Sequence, residues 1–420
     1  MFRFILGTAA ITAVAALPAS SATRADVLQT YADIAQAGFE DSAKLARALD
    51  EKVQALIEAP SAKALTQARA AWIAARVPYQ QTEVYRFGNP IVDDWEGRVN
   101  AWPLDEGLID YVDASYGGAS NENGLKALNV VANESFELSG AAVDASRITP
   151  DLLSQPLHEA GGNEANVATG YHAIEFLLWG QDLNGTAEGA GDRPWTDYAQ
   201  GDACTGGNCD RRAEYLAAAT DLLVSDLDYM AAQRAEGGGA RENVISDEGA
   251  GIAAILSGMG SLGYGELAGE RMRLGLMLND PEEEQDCFSD NTHNSHYYDG
   301  LGIQNVYLGQ YVRVDGSVVE GPSLADLTAQ ADPALNAEMQ ARLAETMRAL
   351  GQIKLVAEAG TSYDMMLAPG NQMGEALIMG GVEGLIDQTR TVERIIAALD
   401  LSGISFEGSD SLDDPEAVFQ

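Results

Sequence analysis

The chain has few basic residues, few cysteines and no long apolar run beyond its start. Only 25 Lys and Arg oppose 64 Asp and Glu, and the formal net charge is −39 at pH 7. So negative a surface repels nucleic acids and anionic membranes, which excludes both as partners. After residue 17, no stretch reaches the roughly 18 uncharged apolar residues that a transmembrane helix needs. We therefore expect no membrane span in the mature chain.

The apolar run at the start has the pattern of a secretory signal peptide. Residues 1–3 form a short basic start, residues 4–17 are apolar without charge, and Pro18 ends the run before a group of small residues. This segment is too short for a good membrane span and is typical of an exported protein. We predict a signal peptide over residues 1–22, cleavage near Ala22, and a periplasmic or secreted mature chain.

The chain contains three cysteines, two of which lie close together. Cys204 and Cys209 enclose the flexible segment Thr-Gly-Gly-Asn, which allows a small disulfide in an oxidising compartment. We predict that this disulfide forms. Cys287 would then be unpaired, and we expect an unreactive thiol there rather than a nucleophile.

Helical periodicity dominates and strand-like alternation is rare, which predicts an all-α fold. About 400 mature residues exceed what one hydrophobic core usually serves, so we expect two tandem helical-bundle domains with long connecting loops. The Gly- and Asp-rich residues 184–208 are the best boundary, giving bundles over 23–190 and 191–420. The predicted helices are 26–57, 61–87 (bent or broken by Pro78), 123–138, 164–183, 211–233, 248–277, 336–359 and 376–399, and the best strand candidate is 311–319.

Residues 170–180, Gly-Tyr-His-Ala-Ile-Glu-Phe-Leu-Leu-Trp-Gly, are the most informative segment. His172 and Glu175 are three residues apart, so on a helix they share a face and can converge on one ion. They lie beside an apolar stripe, and a buried imidazole and carboxylate need partners. A metal ion or an arginine would satisfy them. The pattern is not a zinc-protease motif, and a purely structural hydrogen-bonded pair is the alternative.

A second polar stripe follows one face of the second predicted helix. Trp72, Arg76, Tyr79, Glu83 and Arg86 repeat at steps of four and three. The stripe predicts Glu83 as a candidate third protein ligand of the metal. Trp72, Arg76 and Arg86 would contact the bound small molecule or anion. The alternative is an ion-pair network that ties two helices together.

The third group of polar residues lies in residues 288–300, which hold two of the four histidines. Clustered His, Asp and Asn side chains suit a metal or anion site, although Asn-rich turns also arise as helix caps. We predict that Asp290, Asn291 and His293 border the same site.

These motifs resemble those of the imelysin-like (peptidase M75-like) proteins. Gly170-x-His172-x-x-Glu175 followed by Phe-Leu-Leu-Trp-Gly is similar to the family's G-x-H-x-x-E signature. Residues 72–88 and Asn100-x-Trp102-Pro103 resemble its N-terminal half, and residues 288–311 resemble the iron-regulated protein A branch. The resemblance covers most of the mature chain. It implies two helical bundles with a site at their interface, export, and a link to iron acquisition.

The leading hypothesis is an exported protein that binds a metal ion or metal-linked ligand in iron uptake or homeostasis. His172, Glu175 and Glu83 would be the ligands, and such a nitrogen and oxygen donor set fits iron or zinc. Other iron-uptake components are expected partners. Two alternatives stay open: a periplasmic metallopeptidase of M75 type that uses a metal-activated water, and a helical interaction protein with a purely structural polar site.

Overall fold

The computed structural model describes residues 21–120 and 123–419. Residues 1–20, which carry nearly all of the predicted signal peptide, lie outside the described residues. Within the described ranges, no helix is long and apolar enough to cross a membrane. In this part of the chain helices dominate and the strands form only two short hairpins, so the predicted all-α class is confirmed. The predicted Cys204–Cys209 disulfide is present, and Cys287 is free.

The bounds of the elements are as follows. The helices are α1 Arg24–Glu58, α2 Ala62–Gln80, α3 Pro90–Asn100, α4 Glu106–Ile109, α5 Pro150–Leu152, α6 Gly170–Trp179, α7 Cys209–Arg234, α8 Gly239–Ile245, α9 Glu248–Ser261, α10 Leu274–Leu278, α11 Thr292–Leu308, α12 Leu324–Ala331, α13 Pro333–Glu358, α14 Tyr363–Leu367, α15 Gln372–Ala398 and α16 Asp410–Asp413. The strands are β1 Ser135–Leu138, β2 Ala141–Asp144, β3 Gln310–Val312 and β4 Val318–Glu320, paired as the antiparallel hairpins β1–β2 and β3–β4.

Helix α1 begins with a capping box and forms the longest packing surface of the fold. The Thr23 hydroxyl accepts a hydrogen bond from the Asp26 N–H, and the Asp26 carboxylate accepts one from the Thr23 N–H. Its apolar face packs against α2 and α7. The larger apolar core runs from α1 to α15, and a smaller core lies between α13, α14 and α15. The domain boundary between residues 190 and 191 stays a prediction.

Helix α2 ends earlier than the polar stripe suggested. Pro78 lies inside the helix, which continues to Gln80 and is followed by a 3₁₀ turn at Glu83–Tyr85. Side chains satisfy its last carbonyls, because the Thr82 hydroxyl donates to the Tyr79 carbonyl at 2.6 Å. Glu83 and Arg86 lie beyond the end of the helix and therefore do not continue the face that carries Trp72, Arg76 and Tyr79.

The predicted helix over residues 123–138 is wrong. This segment forms turns and strand β1, which leads into β2 through Ser139 and Gly140. Both turn residues have positive φ angles, 49° and 79°, as a tight two-residue hairpin turn requires. The Asn133 amide also donates to the Leu128 carbonyl, and such local side-chain bonds compete with helix formation.

Helix α6 is shorter than predicted and is enclosed by glycines. Gly170 and Gly180 both have positive φ angles, 82° and 74°. A Cβ at Gly170 would lie 2.5 Å from the Val99 carbonyl oxygen, so only glycine allows α3 and α6 to approach this closely. Every residue of α6 is buried.

Two further segments differ from the sequence predictions. Residues 248–277 are helical throughout, but Leu262–Arg273 is a π-helix between α9 and α10. The strand candidate 311–319 is the hairpin β3–β4 rather than one strand. The third polar segment continues into α11, which packs against α2, α13 and the π-helix. Helix α6 also packs against α2, so α2 lies between α6 and α11.

Candidate metal centre

His172 and Glu175 meet a carboxylate from a distant part of the chain. The His172 Nδ1 atom lies 3.0 Å from the Glu175 Oε2 atom and 3.8 Å from the Asp286 Oδ1 atom. One ligand atom from each residue lies within 4.8 Å of the others, and the three side chains are at most 2% exposed. We call these three residues the His172 site. One imidazole and two carboxylates form a donor set that a transition metal accepts.

The carboxylate oxygens that face away from His172 are held by other groups. The Ser289 N–H and hydroxyl donate to Glu175 Oε1 at 2.9 and 2.6 Å. The Asn291 amide donates to Asp286 Oδ2 at 2.8 Å. Each carboxylate is therefore oriented with its other oxygen towards the imidazole, as outer partners orient the ligands of metal sites.

Arg76 supplies a positive charge at the edge of the His172 site. Its guanidinium donates to Asp286 Oδ1 at 2.8 Å and to Asn100 Oδ1 at 2.6 Å. It also lies over the Tyr171 ring, 5.0 Å from the centroid. Burial alone would raise the pKa of Asp286, but the charge of Arg76, together with His172 and the hydrogen bonds from Ser295 and Asn291, outweighs burial and holds that pKa below its usual value. Asp286 is therefore ionised.

The protonation of the other two groups fits a ligand role. Burial, and after it the charge of Arg76, lowers the pKa of His172 to about 3, so the imidazole is neutral at pH 7. Burial, then the charge of Asp286, raises the pKa of Glu175 well above its usual value. A cation at this carboxylate would favour its ionised form. The His172 Nε2 atom is buried and has no hydrogen-bond partner.

A narrow cavity reaches His172 from an acidic side. It has a volume of about 30 Å³, and its lining includes His172, Glu106, Glu282, Glu284 and Cys287. A volume of this size admits one or two water molecules or an ion. Burial raises the pKa of the Cys287 thiol well above its usual value, so the thiol stays protonated beside these carboxylates.

The predicted third ligand, Glu83, lies elsewhere in the network. Its Oε2 atom accepts a hydrogen bond from Arg271 at 2.8 Å, and its Oε1 atom accepts one from Asn100 at 3.3 Å. Asn100 also binds Arg76, so Glu83 connects to the His172 site through two intervening side chains. Within the described part of the chain, Asp286 and not Glu83 completes the group of three. The 3₁₀ turn after α2 moves Glu83 off the face that carries Arg76.

Residues 35–392 of the chain match the family model of imelysin, peptidase M75. The chain belongs to the imelysin family. No curated protein matches this imelysin-family chain.

Two solved structures have a fold similar to that of this imelysin-family chain. One is a protein assigned as an iron-regulated protein A precursor from Parabacteroides distasonis ATCC 8503, at 17% identity and a TM-score of 0.64. The match covers 92% of this chain and 97% of that chain. The other is an imelysin-like protein from Psychrobacter arcticum 273-4, at 15% identity and a TM-score of 0.52, covering 92% of this chain and 99% of that one. At these identities the likeness shows the fold alone.

Two residues that the sequence predicted to bind the ligand, Trp72 and Arg86, have other contacts in this imelysin-family chain. Trp72 is buried and donates from its ring N–H to the Tyr171 carbonyl at 2.9 Å, so it positions α6 against α2. Arg86 points away from the His172 site, pairs with Glu266 at 2.5 Å and lines a separate groove of about 270 Å³. Neither side chain contacts the three candidate ligands.

The third polar segment divides between two places. Asn291 binds Asp286, as described above. The His293 Nε2 atom lies 3.1 Å from the Asn294 amide, and burial, with help from Lys354, lowers the His293 pKa to about 4. Asp290 belongs to a second group of carboxylates. The segment therefore borders the His172 site through Ser289, Asn291 and Ser295, which bind Glu175 or Asp286, rather than through His293.

Sequence reasoning missed Asp286, Ser289 and Arg271. Asp286 and Ser289 lie in the loop ahead of α11, where no helical spacing links them to α6. Arg271 lies on the π-helix, so its direction does not follow the ordinary helical period. The signal that could have found Asp286 is its place four residues before Asp290, just ahead of the segment 288–300 already noted for its polar residues.

Proposed function

We propose that this imelysin-family protein binds one metal ion at the His172 site, as an exported protein of iron uptake or homeostasis. The observation that carries the proposal is the convergence of three buried ligand atoms within 4.8 Å of one another. Burying an imidazole and two carboxylates together is costly unless a cation or a full set of hydrogen bonds compensates. Among the described residues, only one guanidinium, that of Arg76, pairs with these carboxylates.

The donor set supports iron or zinc. Imidazole nitrogen binds Fe, Zn and Cu, and carboxylate oxygen suits harder ions, so one nitrogen and two oxygens favour a borderline or hard transition metal. No thiolate or thioether belongs to the His172 site among the described residues, which disfavours Cu(I). The Parabacteroides neighbour is named for iron regulation, which supports the link to iron.

The surroundings favour binding over peptide cleavage. A metallopeptidase needs an open coordination position and a base that takes a proton from water, together with room for a polypeptide. The cavity that reaches His172 is about 30 Å³, which is too small for a peptide segment. Arg76 lies 2.8 Å from Asp286, and a fixed cation there disfavours that carboxylate as a proton acceptor. Metallopeptidase activity is therefore the alternative that the experiment tests.

The experiment measures metal content in chelator-stripped mature protein. After loading with Fe(II) or Zn(II) and gel filtration, elemental analysis should give one metal ion per chain. His172→Ala should lose this ion, and the matched control His158→Ala, whose histidine lies outside the His172 site, should keep it. Equal metal content in His172→Ala and the control would overturn the proposal. Chelator-sensitive cleavage of an unfolded polypeptide that disappears in His172→Ala would establish the peptidase alternative instead.

A further inference from the structure

A second group of carboxylates lies apart from the three ligands of the His172 site. Asp182 follows α6, Asp290 precedes α11, and Asp364 lies in α14. One carboxylate oxygen from each lies within 4.8 Å of the others. We call these three residues the Asp364 cluster. Its members come from three separate segments, so tertiary folding alone brings the three negative charges together.

The buried member of this cluster, Asp364, separates it from an ordinary acidic surface. Asp364 is 2% exposed, and neither of its carboxylate oxygens has a well-formed hydrogen bond, although the Ser362 side chain and the Met365 N–H partly oppose the rise that burial causes in its pKa. The Oδ1 atom of Asp290 is also buried without a partner. Burying a carboxylate in this way is unfavourable unless the carboxylate is neutralised or binds a cation.

A fourth carboxylate, that of Glu284, is close enough to Asp364 and Asp290 to repel both of them. Glu284 is 3% exposed, and its Oε2 atom has no partner. None of these four carboxylates forms an ion pair with a Lys, Arg or His in the described ranges, whereas Arg76 pairs with Asp286 at the His172 site.

We infer that Asp182, Asp290 and Asp364 form a second cation site that takes a hard divalent ion. All of its donors are oxygens, and oxygen-only sites suit Ca²⁺, Mg²⁺ or Mn²⁺ rather than softer metals. Ca²⁺ accepts six to eight oxygens in a flexible geometry, which suits carboxylates from three segments. Asp182 is partly exposed, so ions and water reach the cluster from this side.

This cation would link α14 to the loop that carries Asp286, one ligand of the His172 site. Asp290 directly follows Ser289, whose N–H and hydroxyl bind Glu175. The second site does not depend on the proposed function, because its donors do not include His172, Glu175 or Asp286.

The test titrates Ca²⁺, Mg²⁺ and Mn²⁺ separately into chelator-stripped mature protein, followed by calorimetry and thermal unfolding. At least one of these ions should bind saturably with one ion per chain and raise the Tm. Asp364→Asn should weaken that binding about tenfold or more, since affinity in oxygen sites depends on ligand charge. Asp94→Asn, which removes the same charge from an exposed position, should bind as the wild type does. His172→Ala should also retain this binding.

The metal-free proteins show whether a loss of binding reflects misfolding. Asp364→Asn removes a repelling charge, so its metal-free Tm should equal or exceed that of the wild type. No saturable binding of any of the three ions to the wild type would overturn the inference. Equal affinity in Asp364→Asn and Asp94→Asn would overturn it as well. Failure of the His172 site would instead appear as lost Fe(II) or Zn(II) binding with the Ca²⁺ response unchanged.

Discussion

The Oδ1 atom of Asp286 lies 3.8 Å from the Nδ1 atom of His172, and the guanidinium of Arg76 binds the same oxygen at 2.8 Å. One carboxylate oxygen therefore faces both a candidate metal ligand and a fixed cation. A metal ion and Arg76 would share the negative charge of Asp286.

Asp286→Asn should lower the affinity for Fe(II) or Zn(II) by about 10- to 100-fold or more. Loss of a group that only orients a metal ligand has an effect of this size, and loss of the ligand's own charge should cost at least as much. The variant keeps the shape of the side chain but removes the charge that faces His172. Glu83→Gln should leave the affinity within about threefold, because Glu83 binds Arg271 and Asn100 instead. Competition with a fluorescent chelator measures both values. A larger loss of metal affinity in Glu83→Gln than in Asp286→Asn would show that Glu83, rather than Asp286, is the third ligand.

Ser289→Ala should make metal binding more sensitive to acid. The Ser289 hydroxyl donates to Glu175 and lowers the pKa of that carboxylate, opposing burial and Asp286, which raise it. Without the hydroxyl the pKa of Glu175 rises further, and a metal must displace a proton that is held more tightly. The pH at which half of the sites are loaded should therefore move upwards. The same midpoint in Ser289→Ala and the wild type would refute this role.

Arg76→Met should destabilise the metal-free protein by about 3–5 kcal/mol, because it leaves Asp286 buried without its partner. Saturating Fe(II) or Zn(II) should restore part of that loss, since the metal supplies a positive charge at the same oxygen. Chemical denaturation with and without metal measures both quantities. A metal-independent loss of stability would contradict a shared charge at Asp286.

Glu96→Gln should flatten the dependence of stability on pH. Burial, then the charge of Glu83, raises the pKa of Glu96 to about 7, well above that of an unfolded glutamate. The folded protein therefore binds a proton that the unfolded chain has released, and this contribution is lost as pH rises through about 7. Subtracting the unfolding free energies of Glu96→Gln from those of the wild type between pH 5 and 8 isolates the effect. Glu134→Gln, at an exposed position, is the matched control. A flat difference for Glu96→Gln would refute the shift.

Helical spacing predicted the His172–Glu175 pair because both residues lie within one regular helix. It failed for Glu83 because α2 ends at Gln80, and the following 3₁₀ turn changes the direction of the side chain. Asp286 could not be found in this way, because its loop reaches α6 only through the packing of distant helices. The error at residues 123–138 came from apolar spacing that suited a helix, whereas the Ser139–Gly140 turn and the Asn133 side-chain bond favour a hairpin.

The most direct measurement is anomalous X-ray diffraction from crystals of the mature protein loaded with one equivalent of Fe(II) or Zn(II). The account predicts one dominant anomalous peak in contact with His172 Nδ1, Glu175 Oε2 and Asp286 Oδ1. A dominant peak away from these three atoms, or none in protein that elemental analysis shows to be loaded, would contradict it.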